Sequence, residues 1–272
     1  ARTHIISNRS TFGTSDFRLT IVESSKKDSN KKKRANMSEA HKSVRPNDPD
    51  QAIEDAEEKG DIETIVGIIN FTTEEAAAAA TTTAGDDEDN HEWTEATEAA
   101  LDAFYRMVKS GILVTEVATT TTTTYCVYFD SIFLALDAWQ HEEAIAEVGL
   151  GCIVALCNDM KKKEDDVDGI STSLDELTER INKVDIVALI VTKIMPLFAT
   201  EGTIQEQACL ALEGLVTAPY GKMNRELQAT FQYHIDNGLL QEQLLLARDE
   251  RITNERNKSY PGRVATALDI SI

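Results

Sequence analysis

The sequence is short of proline and cysteine, which favours a helical globular protein and argues against a disulfide-linked one. Its 272 residues include only 5 Pro and 13 Gly, which is typical of a helical globular chain. The 4 Cys lie among apolar residues and form no C-x-x-C pair, which argues against a disulfide framework or a metal site. We therefore expect buried, reduced thiols at Cys126, Cys152, Cys157 and Cys209, and an intracellular protein of the cytoplasm or the nucleus.

Long apolar runs are also absent. The longest, around residues 148–157 and 186–191, are much shorter than the roughly 20 residues that span a bilayer. The opening residues lack the continuous apolar core of a secretory signal. We expect no membrane contact.

Basic charge is scarce outside the N-terminal segment. Residues 1–36 hold nine Lys/Arg and three Asp/Glu, which leaves a formal charge of −26 for the rest of a chain whose total is −20. Such an acidic body repels phosphate backbones, so we expect no nucleic-acid binding and predict a protein partner, possibly a basic one.

Residues 1–47 are predicted to form a disordered basic tail. The run KKKR at 31–34 fits either a nuclear-import signal or an ordinary solvated tail. Helical order is predicted from Asp48, a cap residue followed by Pro49 and by Gln51 three residues on, with Gly60 as the stop.

Low-complexity stretches predict flexible loops near 72–90, 117–125 and 160–173. Between them, apolar periodicity predicts helices over 93–110, 132–139 and 141–158. A further helix is expected from Met223 to Asn257 with a break at Asn237 and Gly238. Because Pro261 and Gly262 follow, residues 258–272 are predicted to form a tail or a short helix.

Residues 184–218 form the clearest predicted helix pair, with the turn bracketed by Pro196 and Gly202. Thr203 and Glu206 have the spacing of a capping box at the start of the second helix. The apolar period of this helix places Gln205, Glu206 and Gln207 on its solvent side.

This helix pair is repeated elsewhere in the chain. The signature is an apolar residue, then Glu two positions on, then small residues and a large apolar one. It places Glu206 in register with Glu147 at an offset of 59 residues, and Glu147 with Glu98 at an offset of 49. Downstream, LQEQLLLA at 240–247 is similar to IQEQACLA at 204–211, at an offset of 36 residues. Small residues at fixed helical positions allow close packing of neighbouring helices, as stacked repeats require.

With IQEQACLALEGL, and more loosely AIAEVGLGCIVALCN, the chain resembles the armadillo-like family of α-helical repeats over residues 61–247. The resemblance implies an all-α fold, a right-handed α-solenoid of stacked helix pairs spanning 48–257. The irregular offsets depart from the period of about 40 residues usual in that family. Family members that bind nuclear-import signals carry regular Trp and Asn ladders. Here only Trp93, Trp139 and Asn158 are candidates, without regular spacing, so that ligand class is not implied.

The function we expect is a non-enzymatic scaffold or adaptor that presents an acidic helical surface to a protein partner. Within it, Glu147, Glu206 and Gln207 are candidate partner contacts, and ordinary solvated residues are the alternative. No phosphate loop, zinc motif or nucleophile elbow is present. An enzyme of unknown class built on helices is the remaining alternative, because catalytic residues can converge from distant positions.

A second functional hypothesis concerns residues 164–175, EDDVDGISTSLD, whose acids and glycine partly match a calcium-binding EF-hand loop. The candidate ligands are Glu164, Asp166, Asp168 and Asp175. Against this, the first position is Glu instead of Asp and the last acid is a short Asp. The alternative is an acidic loop that ends in a capping box of Ser173 and Glu176. No other cofactor is expected.

Overall fold

The structure is a computed structural model, and it describes residues 48–81, 87–111, 122–164, 185–217 and 225–272. Across these ranges the chain forms helices and turns and contains no β-strand, which confirms the all-α prediction. The predicted basic tail, residues 1–47, lies outside the described residues. None of the helices in the described ranges is both long enough and apolar enough to cross a bilayer.

The described helices, in chain order, are α1 (Pro49–Lys59), α2 (Ile62–Thr81), α3 (Asp87–Ser110), α4 (Thr122–Ala138) and α5 (Glu143–Glu164). Then comes one unbroken helix, α6, made of Ile186–Ala188, the π-helical segment π1 (Leu189–Ile194) and Met195–Leu197. The rest are α7 (Gly202–Thr217), α8 (Arg225–Asp236), α9 (Leu239–Leu246), the π-helical segment π2 (Ala247–Arg251) that directly continues α9, and α10 (Ser259–Ala267).

Helix α1 begins and ends where the sequence predicts. The Asp48 carboxylate accepts a hydrogen bond from the Gln51 amide at 3.2 Å, and Pro49 is the first helical residue. Gly60 ends the helix with φ of 70°, a left-handed conformation that glycine adopts without steric cost.

The helices pack against each other in a consistent order. Helix α3 packs against α5, α5 against α7, and α7 against α10. In addition, α2 packs against α3 and α4, and α4 packs against α5. Their apolar faces form one core, and the largest fully buried side chains in it include Phe104, Phe129, Phe133 and Phe231.

Two glycines lie where neighbouring helices approach closely, and one of them, Gly149, is a small residue of the repeated signature. A Cβ on Gly214 of α7 would lie 3.0 Å from the Cβ of Cys157 on α5. A Cβ on Gly149 of α5 would lie 2.7 Å from Leu136 on α4. A larger residue at either position would require Leu136 or Cys157 to shift.

The loop predicted near 72–90 needs correction. Residues 72–81 continue α2 and residues 87–90 begin α3, so only 82–86 lie outside the described residues. Threonine is tolerated here because Thr72 and Thr73 donate their hydroxyl protons to carbonyls one turn back, including that of Ile69. Thr72 is fully buried, and its oxygen lies 2.8 Å from the hydroxyl of Thr97 on α3.

The loops predicted near 117–125 and 160–173 also contain helix. Helix α4 begins at Thr122, inside the threonine run, because Tyr125, Tyr128 and Phe129 bury one face of it and outweigh the low helix propensity of threonine. Helix α5 continues to Glu164, with the Lys161 ammonium donating to the Thr217 hydroxyl of α7 at 2.6 Å. Residues 112–121 and 165–184 lie outside the described residues.

The C-terminal part follows the sequence prediction only partly. The predicted break at Asn237 and Gly238 is confirmed, with Gly238 at φ of 70°. The resumed helix ends at Arg251 instead of Asn257. Within 258–272 lies α10, whose first turn includes Pro261, where a missing amide proton costs no helical hydrogen bond. Val264 of α10 is fully buried.

The start of α7 differs from its sequence prediction in two respects. The turn falls between Pro196 and Gly202 as predicted, but the helix begins at Gly202, so Thr203 lies inside it and the capping-box prediction is wrong. Gln205 was expected on the solvent side and is fully buried. It is buried because its side-chain amide donates to the carbonyls of Met195 and Phe198, each at 2.9 Å, where α6 ends.

Candidate functional site

The predicted partner contacts lie on helices that pack side by side. Glu147 is on α5, and Glu206 and Gln207 are on α7; all three are half-buried. The matching residue of the repeated signature, Glu98, is half-buried on α3. We call Glu98, Glu147 and Glu206 the glutamate row, since they occupy equivalent signature positions on three helices packed in series.

The members of the glutamate row differ in their contacts within the chain. The Glu206 carboxylate accepts a hydrogen bond from the Asn257 side-chain amide at 2.7 Å. Among the described residues, no side chain forms a hydrogen bond or ion pair with Glu98 or Glu147. These two carboxylates are therefore the ones that a partner could engage without breaking an internal contact.

Further along α7, the guanidinium of Arg263 on α10 donates from Nε and Nη2 to Glu213 Oε1 at 3.0 and 2.8 Å. Together with the Glu206 contact, this ion pair joins α7 to the C-terminal segment at two points. The earlier residue of α7, Glu206, contacts the earlier residue of the C-terminal segment, Asn257, and the later Glu213 contacts the later Arg263, so the two segments run in the same direction.

A second charged cluster joins α1 to α3. Arg106 donates from Nε and Nη2 to the two carboxylate oxygens of Glu57, each at 2.8 Å, and from Nη1 to Asp102. The hydrogen bond from Arg106 lowers the pKa of Glu57, and the bond to Glu57 raises the pKa of Arg106. The pair is half-exposed and therefore stabilises the fold modestly.

A buried polar cluster, formed by Gln205, Gln243 and Arg251, lies where α6, α7 and π2 meet. Arg251 Nη1 donates to Gln243 Oε1 at 2.7 Å, and to Gln205 Oε1 and the Met195 carbonyl at 3.2 Å each. Gln205 is fully buried and Gln243 is 6% exposed. Burial lowers the pKa of Arg251, an effect that the nearby Glu250 and Glu242 oppose.

The polar cluster is not evident in the sequence. Gln205 was expected to face solvent, and at the offset of 36 residues its counterpart in LQEQ is Gln241 instead of Gln243. The two π segments have no distinctive composition either, although π-helical turns are frequent at functional sites. The repeated signature gives no signal either, because Gln243 matches Gln207, which lies outside the polar cluster.

A buried histidine lies beside the start of α6. His234 on α8 is 4% exposed, and its Nε2 is sealed from solvent without a hydrogen bond. The closest ion-pair oxygen is Asp185 Oδ1 at 3.9 Å, an atom that already accepts from the Ala188 amide at 3.0 Å. Asp185 has φ of 46°, a left-handed conformation that is uncommon for a residue other than glycine.

A tyrosine and an aspartate are paired between α4 and α5. The Tyr125 hydroxyl donates to the Asp159 carboxylate, and both residues are buried. Burial and this hydrogen bond raise the pKa of Tyr125, so the phenol stays protonated and acts as a donor. The pair supplies a buried carboxylate with a partner, as a helix interface requires.

The candidate calcium ligands are mostly outside the described residues. Glu164 is the last residue of α5, while Asp166, Asp168 and Asp175 fall within the range that the structure does not describe. Within the described ranges, no group of three or more His, Cys, Asp or Glu side chains could hold a metal ion. The calcium hypothesis therefore stays a prediction.

Comparison with known proteins gives no relative. No protein-family model matches the sequence, and no curated protein and no solved structure matches it either. The resemblance to armadillo-like repeats thus rests on the sequence pattern alone, and the plain finding about this chain is that its described residues form packed α-helices.

Proposed function

We propose that this protein is a non-enzymatic scaffold or adaptor, an armadillo-like right-handed α-solenoid of stacked helix pairs whose acidic surface binds a basic protein partner. The observation that carries the proposal is the serial packing of α3, α5 and α7 with the glutamate row at equivalent positions on them. Helices that repeat in this way offer an extended surface instead of a single cleft.

Charge supports the choice of partner. The chain beyond residue 36 carries a formal charge of −26, so a basic segment would be attracted before contact and would associate faster at low salt. Glu98 and Glu147 have no partner among the described side chains, and pairing them would cost no internal hydrogen bond.

The protein's compartment is part of the same proposal. Cys152, Cys157 and Cys209 are buried, as expected for a protein of the cytoplasm or nucleus, where thiols stay reduced. The side chain of Cys126 lies outside the described residues.

Affinity capture from a lysate of the source, with the full chain as bait, tests the proposal. The test variant is Glu98→Gln with Glu147→Gln and Glu206→Gln, which removes three charges and leaves an oxygen that can still accept from Asn257. We expect the wild type to retain a basic protein in stoichiometric amount, and the variant to lose it. Retention by the wild type should weaken as salt is raised, because ions screen exposed charges.

The matched control is Glu54→Gln with Glu58→Gln and Glu63→Gln. It removes the same charge from exposed positions on α1 and α2, away from the glutamate row. We expect this variant to capture the partner as the wild type does. Equal capture by both variants and the wild type would contradict the assignment of the glutamate row, and loss in both would reduce it to an effect of net charge.

A further inference from the structure

Several arginines of this protein form paired hydrogen bonds with a carboxylate. In three of the described arginines, Nε and Nη2 point the same way and both donate to one carboxylate group. These are Arg106 with Glu57, Arg248 with Asp249 and Arg263 with Glu213, at N···O distances between 2.6 and 3.0 Å.

Arg251 differs from these three. All its hydrogen bonds come from Nη1, and they go to the neutral oxygens of Gln243, Gln205 and Met195. Among the described residues no acceptor bonds its Nε or Nη2, and no carboxylate oxygen lies within ion-pair distance. In the part of the chain that the structure describes, the buried side-chain nitrogens and oxygens that lack a hydrogen bond are Trp139 Nε1 and His234 Nε2, so Nε and Nη2 of Arg251 are not sealed from solvent.

The orientation of this open edge is fixed by buried groups. Gln205 Oε1 accepts from Arg251 while its own amide nitrogen is held by the carbonyls of Met195 and Phe198. Gln243, which accepts from the same Nη1, is also buried. A guanidinium held in this way loses little side-chain entropy when it binds an anion, which removes one of the usual costs of association.

We propose that the Nε and Nη2 edge of Arg251 is a binding site for a carboxylate group. The anion would accept two parallel hydrogen bonds, as Glu57 does from Arg106. A singly charged carboxylate suits the site better than a phosphate, because Glu242 and Glu250 lie close enough to act on Arg251 and the chain carries −20 overall. The site is independent of the scaffold proposal, since it needs no protein partner.

The test is NMR of the arginine side-chain Nε–H groups in the full chain. Their resonances are assigned by through-bond experiments. Sodium acetate is titrated against sodium chloride at equal ionic strength, with inorganic phosphate as a second arm. We expect the Arg251 resonance to shift and saturate with acetate, while the resonances of Arg106 and Arg263, whose edges are filled, move little. Because the wild type alone answers this question, the result does not depend on a variant folding.

Two variants separate the site from general anion effects. Arg251→Lys keeps the charge but cannot make two parallel bonds, so we expect acetate binding to weaken by about tenfold. Arg256→Lys changes an exposed arginine five positions on and should leave it unchanged. An Arg251 shift that rises linearly, without saturation, would overturn the proposal. A stronger response to phosphate than to acetate would overturn the choice of carboxylate.

Discussion

At the scale of single residues, burial controls the chemistry of the thiols. Cys152 and Cys209 are fully buried, and burial is the main reason that the pKa of each thiol is raised, to about 12 in Cys209. The carboxylates of Glu206 and Glu213 add to the effect at Cys209. These thiols stay protonated, and therefore unreactive, at neutral pH.

The folded protein should lose stability as the pH rises above about 9, the ordinary value for a thiol. The unfolded chain releases the Cys209 proton there while the folded chain keeps it until about pH 12, so each thiol contributes a slope of up to ~1.4 kcal/mol per pH unit. Urea unfolding of the wild type and of Cys209→Ala across this range measures it. We expect a shallower slope for the variant, and parallel slopes would show that Cys209 is accessible when folded.

At the scale of elements, some helix ends could be predicted from the sequence and others could not. The start and the end of α1 were predictable because Asp48 and Gly60 act locally, through the backbone of their own helix. The start of α7 was not, because Glu206 bonds to Asn257, 51 positions away. Gln205 looked like a solvent residue for the same reason, since its partners belong to the end of α6.

The prediction that the low-complexity stretches form loops was wrong because it considered composition without packing. Alanine favours helix, and the threonines of α2 donate to their own backbone, so neither residue type ends the helix after Phe71. In α4 the decisive residues are the aromatic ones that follow the threonines and are buried. Only knowledge of the facing helix could have shown this.

Gln205 joins three elements, so its loss should be costly. Gln205→Ala removes one of the donors to the carbonyls of Met195 and Phe198 and removes an acceptor from Arg251. We expect a loss of about 2–4 kcal/mol in the free energy of unfolding, measured by urea denaturation. The neighbouring Gln207→Ala, at a half-buried position, should cost less than about 1 kcal/mol. Similar losses in the two variants would mean that water replaces the Gln205 bonds.

At the scale of the whole molecule, the all-α class followed from periodicity, whereas the order in which the helices stack did not. The sequence offsets of 49 and 59 relate α3, α5 and α7 by pattern alone, and these three helices pack in series. The right-handed solenoid stays a prediction, because handedness depends on crossing angles that no repeated residue encodes.

A formal charge of −20 should make stability depend on salt. Like charges repel most strongly when the chain is compact, so screening of this repulsion by salt favours the folded state. We expect the free energy of unfolding to rise from low to physiological sodium chloride with an unchanged urea m-value. An uncharged osmolyte at matched osmolality controls for effects unrelated to charge, and a flat or falling dependence on salt would mean that local ion pairs outweigh the repulsion.

The buried thiols also make the molecule a reporter of its own motion. Cys152 and Cys157 lie in α5 and Cys209 in α7, and all three are out of reach of solvent in the folded state. An alkylating reagent can modify them only when the helix that carries them opens. The rates at which the three sites react therefore measure how often α5 and α7 open, and whether they open together or one at a time.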